Sequence, residues 1–298
     1  MNFRKTLNLF LFDITNFLAR IKADKIIPAR LVYAIFSPFK GPQDTLDFYG
    51  NKLILNFNDR LYYNIFKSKD SLSFKLINKE IEPGGRVVDV GAHIGCYTLV
   101  LAGLVGSSGK VYSFEPAEDN FELLRKNIEL NDYGNVIAVR KAVGNRTGQT
   151  RLYMHSKGVS HSIYSAEDKK RYAEVDILRL DEYFKDSTEG VDFVKIDAEG
   201  AEYDVLRGAE NLLNVNPYIK MVVEYSPFML KKAGTDHRDF LKFLKSLGFR
   251  LYDINEKKER VEATSVEDLL SRYKVRRFHY TNLFCVKAEG RKSKQPLP

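Results

Sequence analysis

Arg86-Val-Val-Asp-Val-Gly-Ala-His-Ile-Gly-Cys-Tyr-Thr-Leu-Val100 runs from one apolar segment through a glycine-bearing turn into a second. Pro83, Gly84 and Gly85 punctuate its start, and the β-branched Val87, Val88 and Val90 predict a buried parallel strand. From Tyr97 to Leu101 the pattern suits the packed face of a helix. Gly91 and Gly95 fall in the turn, where the missing Cβ permits unusual dihedrals and the close approach of a ligand. The predicted order is strand, loop, helix.

The loop reads Asp89-x-Gly91-x-x-x-Gly95, which departs from the G-x-G-x-x-G spacing that a dinucleotide pyrophosphate needs. That departure argues against a nicotinamide or flavin cofactor. The next apolar run, Lys110-Val-Tyr-Ser-Phe114, ends at Glu115, where an acidic side chain of a nucleotide-binding βαβ unit accepts hydrogen bonds from ribose hydroxyls. Pro116 is expected to open the following helix.

Around this centre, 298 residues with 44% apolar content can bury one large core, or one core with a small appendage. Two cysteines, Cys96 and Cys285, make neither a disulfide framework nor a zinc pattern, so a reducing, cytoplasmic setting is the default expectation. The formal net charge of +8 favours an anionic partner without choosing one. Much of the excess lies late, at Arg272, Lys274, Arg276 and Arg277 and in a tail with Arg291, Lys292 and Lys294 that reads as solvated.

Residues Leu7, Phe10, Leu11, Ile14, Phe17, Leu18 and Ile21 repeat at the spacing of one helical face. This amphipathic helix is expected to pack on the main domain or on a second subunit in a homodimer, with peripheral membrane contact as the alternative. Asp47 to Leu55 carries a Gly-Asn pair between apolar runs and predicts a β-hairpin; a helix is expected from Leu72 to Ile81. Further on, Phe121, Leu124, Ile128 and Leu130 keep helical spacing, and 136–140 predicts the third parallel strand. Residues 150–154 and 174–178 look strand-like, separated by a polar excursion with Gly158, Val159, Ser160, His161 and Ser162. Strands are predicted at 191–196, 220–225, 249–254 and 282–286. Thr235 is the expected cap of one late helix and Ser265 opens another with a capping box. Strands alternating with helices specify a doubly wound α/β sheet with right-handed crossovers.

Four segments, Val-Asp-Val-Gly-Ala-His-Ile-Gly (88–95), Phe-Glu-Pro (114–116), Leu-Asp-Glu-Tyr-Phe (180–184) and Ile-Asp-Ala-Glu-Gly-Ala-Glu (196–202), resemble the FkbM family of S-adenosylmethionine-dependent methyltransferases. The last of them is the most specific, and the resemblance covers about residue 60 to residue 287. It implies a Rossmann-like sheet of seven strands with the last antiparallel, and S-adenosylmethionine as cofactor. The implied division is an N-terminal helical extension at 1–45, a hairpin-and-helix lid at 46–84, a methyltransferase domain at 85–290 and a basic tail at 291–298. Asp89, Gly91, Ala92, His93, Gly95, Glu115, Pro116, Ala142 and Asp197 are the expected cofactor-binding residues. O-methylation of a small-molecule or glycan acceptor is the implied activity, with the excursion around His161 on the acceptor side.

Methyl transfer from a sulfonium needs mainly positioning, but an oxygen acceptor must also lose a proton. Asp197, Glu199, Glu224 and His161 are the candidate bases. Glu202 reads as first-turn charge complementation, whereas two acids flanking Ala198 before a glycine exceed what capping requires. Magnesium held by clustered acids is the less favoured option, because no Asp-Asp or Asp-Asn pair is dedicated to it. RNA methylation is the rival activity and a non-catalytic adaptor a third; both are disfavoured, the first because no aromatic-basic RNA-binding pattern appears.

Overall fold

The computed structural model describes residues 44–55, 71–154, 161–164, 171–187, 190–256, 258–277 and 279–287. The N-terminal amphipathic pattern, residues 158–160 and the basic tail lie outside the described residues. A hairpin of β1 (Asp44–Phe48) and β2 (Asn51–Leu55) precedes α1 (Ser71–Glu80). Next come β3 (Arg86–Val90), α2 (Cys96–Val105), β4 (Lys110–Phe114), α3 (Glu118–Leu130) and β5 (Val136–Val139). Four strands follow, β6 (Ala142–Val143), β7 (Gly148–Met154), β8 (His161–Ser162) and β9 (Tyr172–Leu178), and then α4 (Leu180–Tyr183). The second half holds β10 (Phe193–Ile196), α5 (Glu202–Gly208), α6 (Glu210–Val215), β11 (Lys220–Tyr225), α7 (Pro227–Lys232) and α8 (His237–Ser246). It closes with β12 (Phe249–Asn255), β13 (Arg260–Thr264), α9 (Val266–Arg272) and β14 (Thr281–Lys287).

The central sheet has the order β13-β12-β14-β11-β10-β3-β4-β5. β11, β10, β3, β4 and β5 are parallel, and β14 inserts antiparallel between β11 and β12. This is the expected seven-stranded arrangement with an eighth strand, β13, hairpinned onto the edge. Adjacent valines explain why both faces are covered: Val87 packs into one core with Phe74, Leu99 and Phe193, Val88 into the other with Val194, Leu206 and Leu241. Each such side chain stabilises the fold by roughly 1.5–3 kcal/mol when fully buried. From β3 the chain runs outward through β4 and β5, then returns to lay β10 on the other side of β3. The crevice at the carboxyl ends of β3 and β10 is therefore the topological switch point where open α/β sheets bind ligands.

Several local expectations shift. Residues 150–154 and 174–178 belong to a separate four-stranded sheet of order β6-β9-β7-β8. The hairpin turns at Tyr49 and Gly50, both left-handed (φ 50° and 78°), and Asn51 begins the second strand, pairing with Phe48. α3 starts two residues beyond Pro116, with Ala117 as its cap, and Asp236 rather than Thr235 caps α8 by accepting from the Arg238 N–H. The capping box at Ser265 forms with Asp268 as its partner. Among the described residues no helix is long and apolar enough to cross a membrane.

α3 departs most from its pattern. Its buried positions are Asn120, Leu123, Leu124 and Asn127, while Phe121 and Ile128 are only partly covered. Asn127 accepts from the Ile54 N–H at 2.6 Å and donates to the Ile54 carbonyl at 3.1 Å and to the Ile94 carbonyl at 2.8 Å. One turn on, Asn131 repeats the exchange with Lys52, accepting from its N–H and donating to its carbonyl, both at 2.7 Å. Two side-chain amides thus pair with β2 as a neighbouring strand would, fastening the hairpin to the helix beside the glycine loop.

Candidate active site

The glycine loop is shaped by its packing against the chain. At Gly91 (φ 77°) a Cβ would stand 1.8 Å from the Asp197 carbonyl oxygen, and at Gly95 (φ 100°) it would stand 2.8 Å from Leu124 Cδ1. The first glycine lets the exit of β3 pass against the exit of β10, and the second makes room for the α3 core. Gly91, Ala92 and His93 line a cavity that opens to solvent; Gly95 and Asp89 do not. Glu115, Pro116, residues 141–143, Leu152 and His161 form other parts of its wall, and Lys195, Asp197 and Glu199 complete the far side.

Glu115 is 4% exposed and held on both oxygens. Oε1 accepts from the Ala117 N–H at 2.9 Å and the Asn120 amide at 3.4 Å, and Oε2 accepts from the His93 N–H at 2.9 Å. Burial pushes its pKa up to about 7, against the pull of those donors. A carboxylate oriented this firmly in a cavity wall fits an acceptor for a diol. Asp89 has a different place: wholly buried, it accepts from Thr98 Oγ1 at 2.7 Å, and Thr98 in turn bonds Ser113 at 2.9 Å. Burial raises its pKa and Lys195, its register partner on β10, opposes the rise. Asp89 and Gly95, expected at the cofactor, both shape the loop, and neither is among the residues that line the cavity.

On the far wall β10 delivers Lys195, a residue with no role in the sequence reading. Its side chain is 4% exposed, its ammonium lies 3.1 Å from Asp197 Oδ2, and Tyr97 covers it at 4.5 Å from the ring centroid. Its signal was an isolated lysine in an apolar strand. Beyond it, Glu199 sits in the left-handed region (φ 49°), and Ser162 of β8 donates to its carbonyl at 2.8 Å. A strained non-glycine residue facing a cavity is a frequent mark of a functional loop.

Glu202 is more than a capping residue. It is fully buried; its Oε1 accepts from the Ala198 and Gly200 N–H groups at 2.9 and 3.1 Å, while its Oε2 has no hydrogen-bond partner among the described residues. Carboxylate oxygens of Asp197, Glu202 and Glu224 lie within 4.8 Å of one another. Burial, followed by the charges of neighbouring acids, pushes Glu199 and Glu224 up in pKa, and burial does the same for Glu202. Of the four candidate bases, Asp197, Glu199 and His161 face the cavity, whereas Glu224 stands behind them on β11. His93 is held neutral, its pKa down to about 4, by burial and then by the nearby His161.

A parallel sheet with this strand order, a glycine loop at its switch point and an acidic residue at the end of the second strand define a Rossmann-like methyltransferase. The sequence matches the Methyltransferase FkbM domain over residues 89–251, more than half of the chain, and the protein belongs to that family. It is 28% identical over 146 residues to Methyltransferase 1 of Beauveria bassiana, a match that covers 42% of this chain and 58% of that relative. It is 27% identical over 192 residues to Methyltransferase sdnD of Sordaria araneosa, covering 51% and 74%. The crystal structure of Methyltransferase FkbM from Methylobacillus flagellatus is 14% identical with a TM-score of 0.41, over 78% of this chain and 56% of that one.

Proposed function

We propose that the protein transfers a methyl group from S-adenosylmethionine to a hydroxyl oxygen of a small-molecule or glycan acceptor. When bound, S-adenosylmethionine supplies a methyl group already activated on a sulfonium. Glu115 would hold the ribose diol through the lone pairs that its three N–H donors leave over, and residues 141–143 would border the base.

The observation that carries the oxygen acceptor is the pairing on the far wall. Asp197 is already engaged by Lys195, whereas Glu199 lines the same cavity and its carboxylate makes no hydrogen bond or ion pair among the described residues. Glu199 would therefore take the proton that the acceptor hydroxyl must lose. Incubation with methyl-labelled cofactor and fractionated cell extract should put label into the glycan or small-molecule fraction. Glu199→Gln should lower turnover on that acceptor about 10²–10⁴-fold while leaving cofactor affinity nearly unchanged. Label confined to RNA would replace the acceptor class, and near-normal turnover in Glu199→Gln at saturating acceptor would move the base to His161.

A further inference from the structure

We propose that Asp197, Glu202 and Glu224 form a binding site for one divalent cation of the hard, oxygen-preferring kind. Three elements bring them together: the exit of β10, the first turn of α5 and the penultimate position of β11. Their carboxylate oxygens lie within 4.8 Å of one another. Two ligands of a single ion can be no farther apart than twice the metal–oxygen distance, which is about 4.6–5.2 Å for calcium and about 4.1 Å for magnesium. The cluster is near the size of the larger ion, and a small closing movement would bring its oxygens to coordinating distance.

Proximity alone would be an ordinary acidic cluster. Two further observations point to a ligand. The Ala198 and Gly200 N–H groups fix Glu202 through Oε1, and this leaves the wholly buried Oε2 without a hydrogen-bond partner among the described residues. Glu224, at the same place, makes no hydrogen bond or ion pair among the described residues. A buried carboxylate oxygen without a donor costs about 1–3 kcal/mol, and more when charged, unless something compensates it. A buried cation beside the cluster, Lys195, engages Asp197 Oδ2 at 3.1 Å and is covered by the Tyr97 ring. One ammonium cannot balance three carboxylates, and a divalent ion would.

The inference rests on the methyltransferase reading only for its purpose: an ion beside the cavity-lining Asp197 could orient an acceptor hydroxyl. Binding itself can be measured without any methyl acceptor. The full-length protein, stripped with chelator and desalted, should be titrated with Mn²⁺ while the unbound ion is followed by electron paramagnetic resonance, with Mg²⁺ and Ca²⁺ as competitors. One saturable site is expected, and Glu202→Gln and Glu224→Gln should each weaken it about tenfold or more. Glu224→Gln removes a half-buried acid that makes no ion pair among the described residues, so it should fold at least as well as the parent and keep the test interpretable. Mn²⁺ should raise the melting temperature of the parent but not of Glu224→Gln. No saturable Mn²⁺ binding, or binding that both variants leave intact, would overturn the site. Cofactor binding without Mn²⁺ binding would sink the metal site and spare the methyltransferase reading; Mn²⁺ binding by a protein that binds no cofactor would do the reverse.

Discussion

The two walls of the cavity solve opposite electrostatic problems. On the glycine-loop side each acidic group is met by neutral donors: Glu115 by two backbone N–H groups and an amide, Asp89 by the Thr98 hydroxyl. On the side formed by the exits of β10 and β11, four acids share one buried lysine and two backbone N–H groups. Glu115, held on both oxygens, is suited to accepting from an uncharged diol. The second wall carries more negative charge than its donors satisfy, which suits groups that accept a proton or a cation in the course of a reaction.

The contact between the walls offers the largest test. Gly91→Ala would drive a Cβ into the Asp197 carbonyl, at 1.8 Å, from a backbone in the left-handed region. Neither strand exit can retreat, because Asp197 N donates to the Val90 carbonyl at 3.1 Å. The variant should lose about 4 kcal/mol or more, or fail to fold, which urea denaturation would report. A melting temperature within a few degrees of the parent would show that the two walls are not rigidly joined.

Glu115 sharpens the comparison through pH. Its pKa, raised by burial to about 7, means that ligand binding which needs the carboxylate should strengthen as pH rises from 6 to 8. The sign for stability is the reverse. A carboxyl group whose folded pKa lies above its unfolded one contributes stability that is fully present below the unfolded value, near 4.5, and is lost as pH climbs through about 7. Glu115→Ala should weaken S-adenosylhomocysteine binding by roughly 2–3 kcal/mol at pH 8 and flatten the rise. Calorimetry at pH 6, 7 and 8 checks both; unchanged affinity would place the ribose elsewhere.

The same contrast explains what the sequence could tell. The glycine loop, the end of β4 and the five parallel strands were legible because buried β-branched runs and turn residues are local signals. Asp197 and Glu199 stood out for a similar reason, as acids in excess of capping needs. Glu202 and Lys195 did not, since their meaning depends on what β11 and Tyr97 bring near them. α3 was read by its apolar spacing and so was given Phe121 and Ile128 as its buried face. Buried asparagines are invisible to such a pattern when their partners are a strand about 70 residues earlier, as Ile54 is for Asn127. The second sheet was missed because its strand patterns were legible but their pairing was not, and β13 because nothing in its short pattern separates an edge strand from a loop.

The smallest expected effect concerns those asparagines, which brace the well-satisfied wall from outside. Asn127 and Asn131 make similar exchanges with β2, but only Asn127 also reaches the glycine loop, and only Asn127 is fully buried. Replacing Asn127 with alanine leaves the Ile54 N–H and carbonyl and the Ile94 carbonyl without this partner, at a cost of about 2–3 kcal/mol. At Asn131 solvent can replace the lost bonds, so Asn131→Ala should cost only about 0.5–1 kcal/mol. Hydrogen exchange separates the outcomes further. In Asn131→Ala the Lys52 amide alone should exchange faster, whereas Asn127→Ala should loosen the Ile54 amide and reduce cofactor affinity through the loop that carries His93. Equal losses in the two variants, with no change in cofactor affinity for either, would mean that the hairpin is fastened independently of the site.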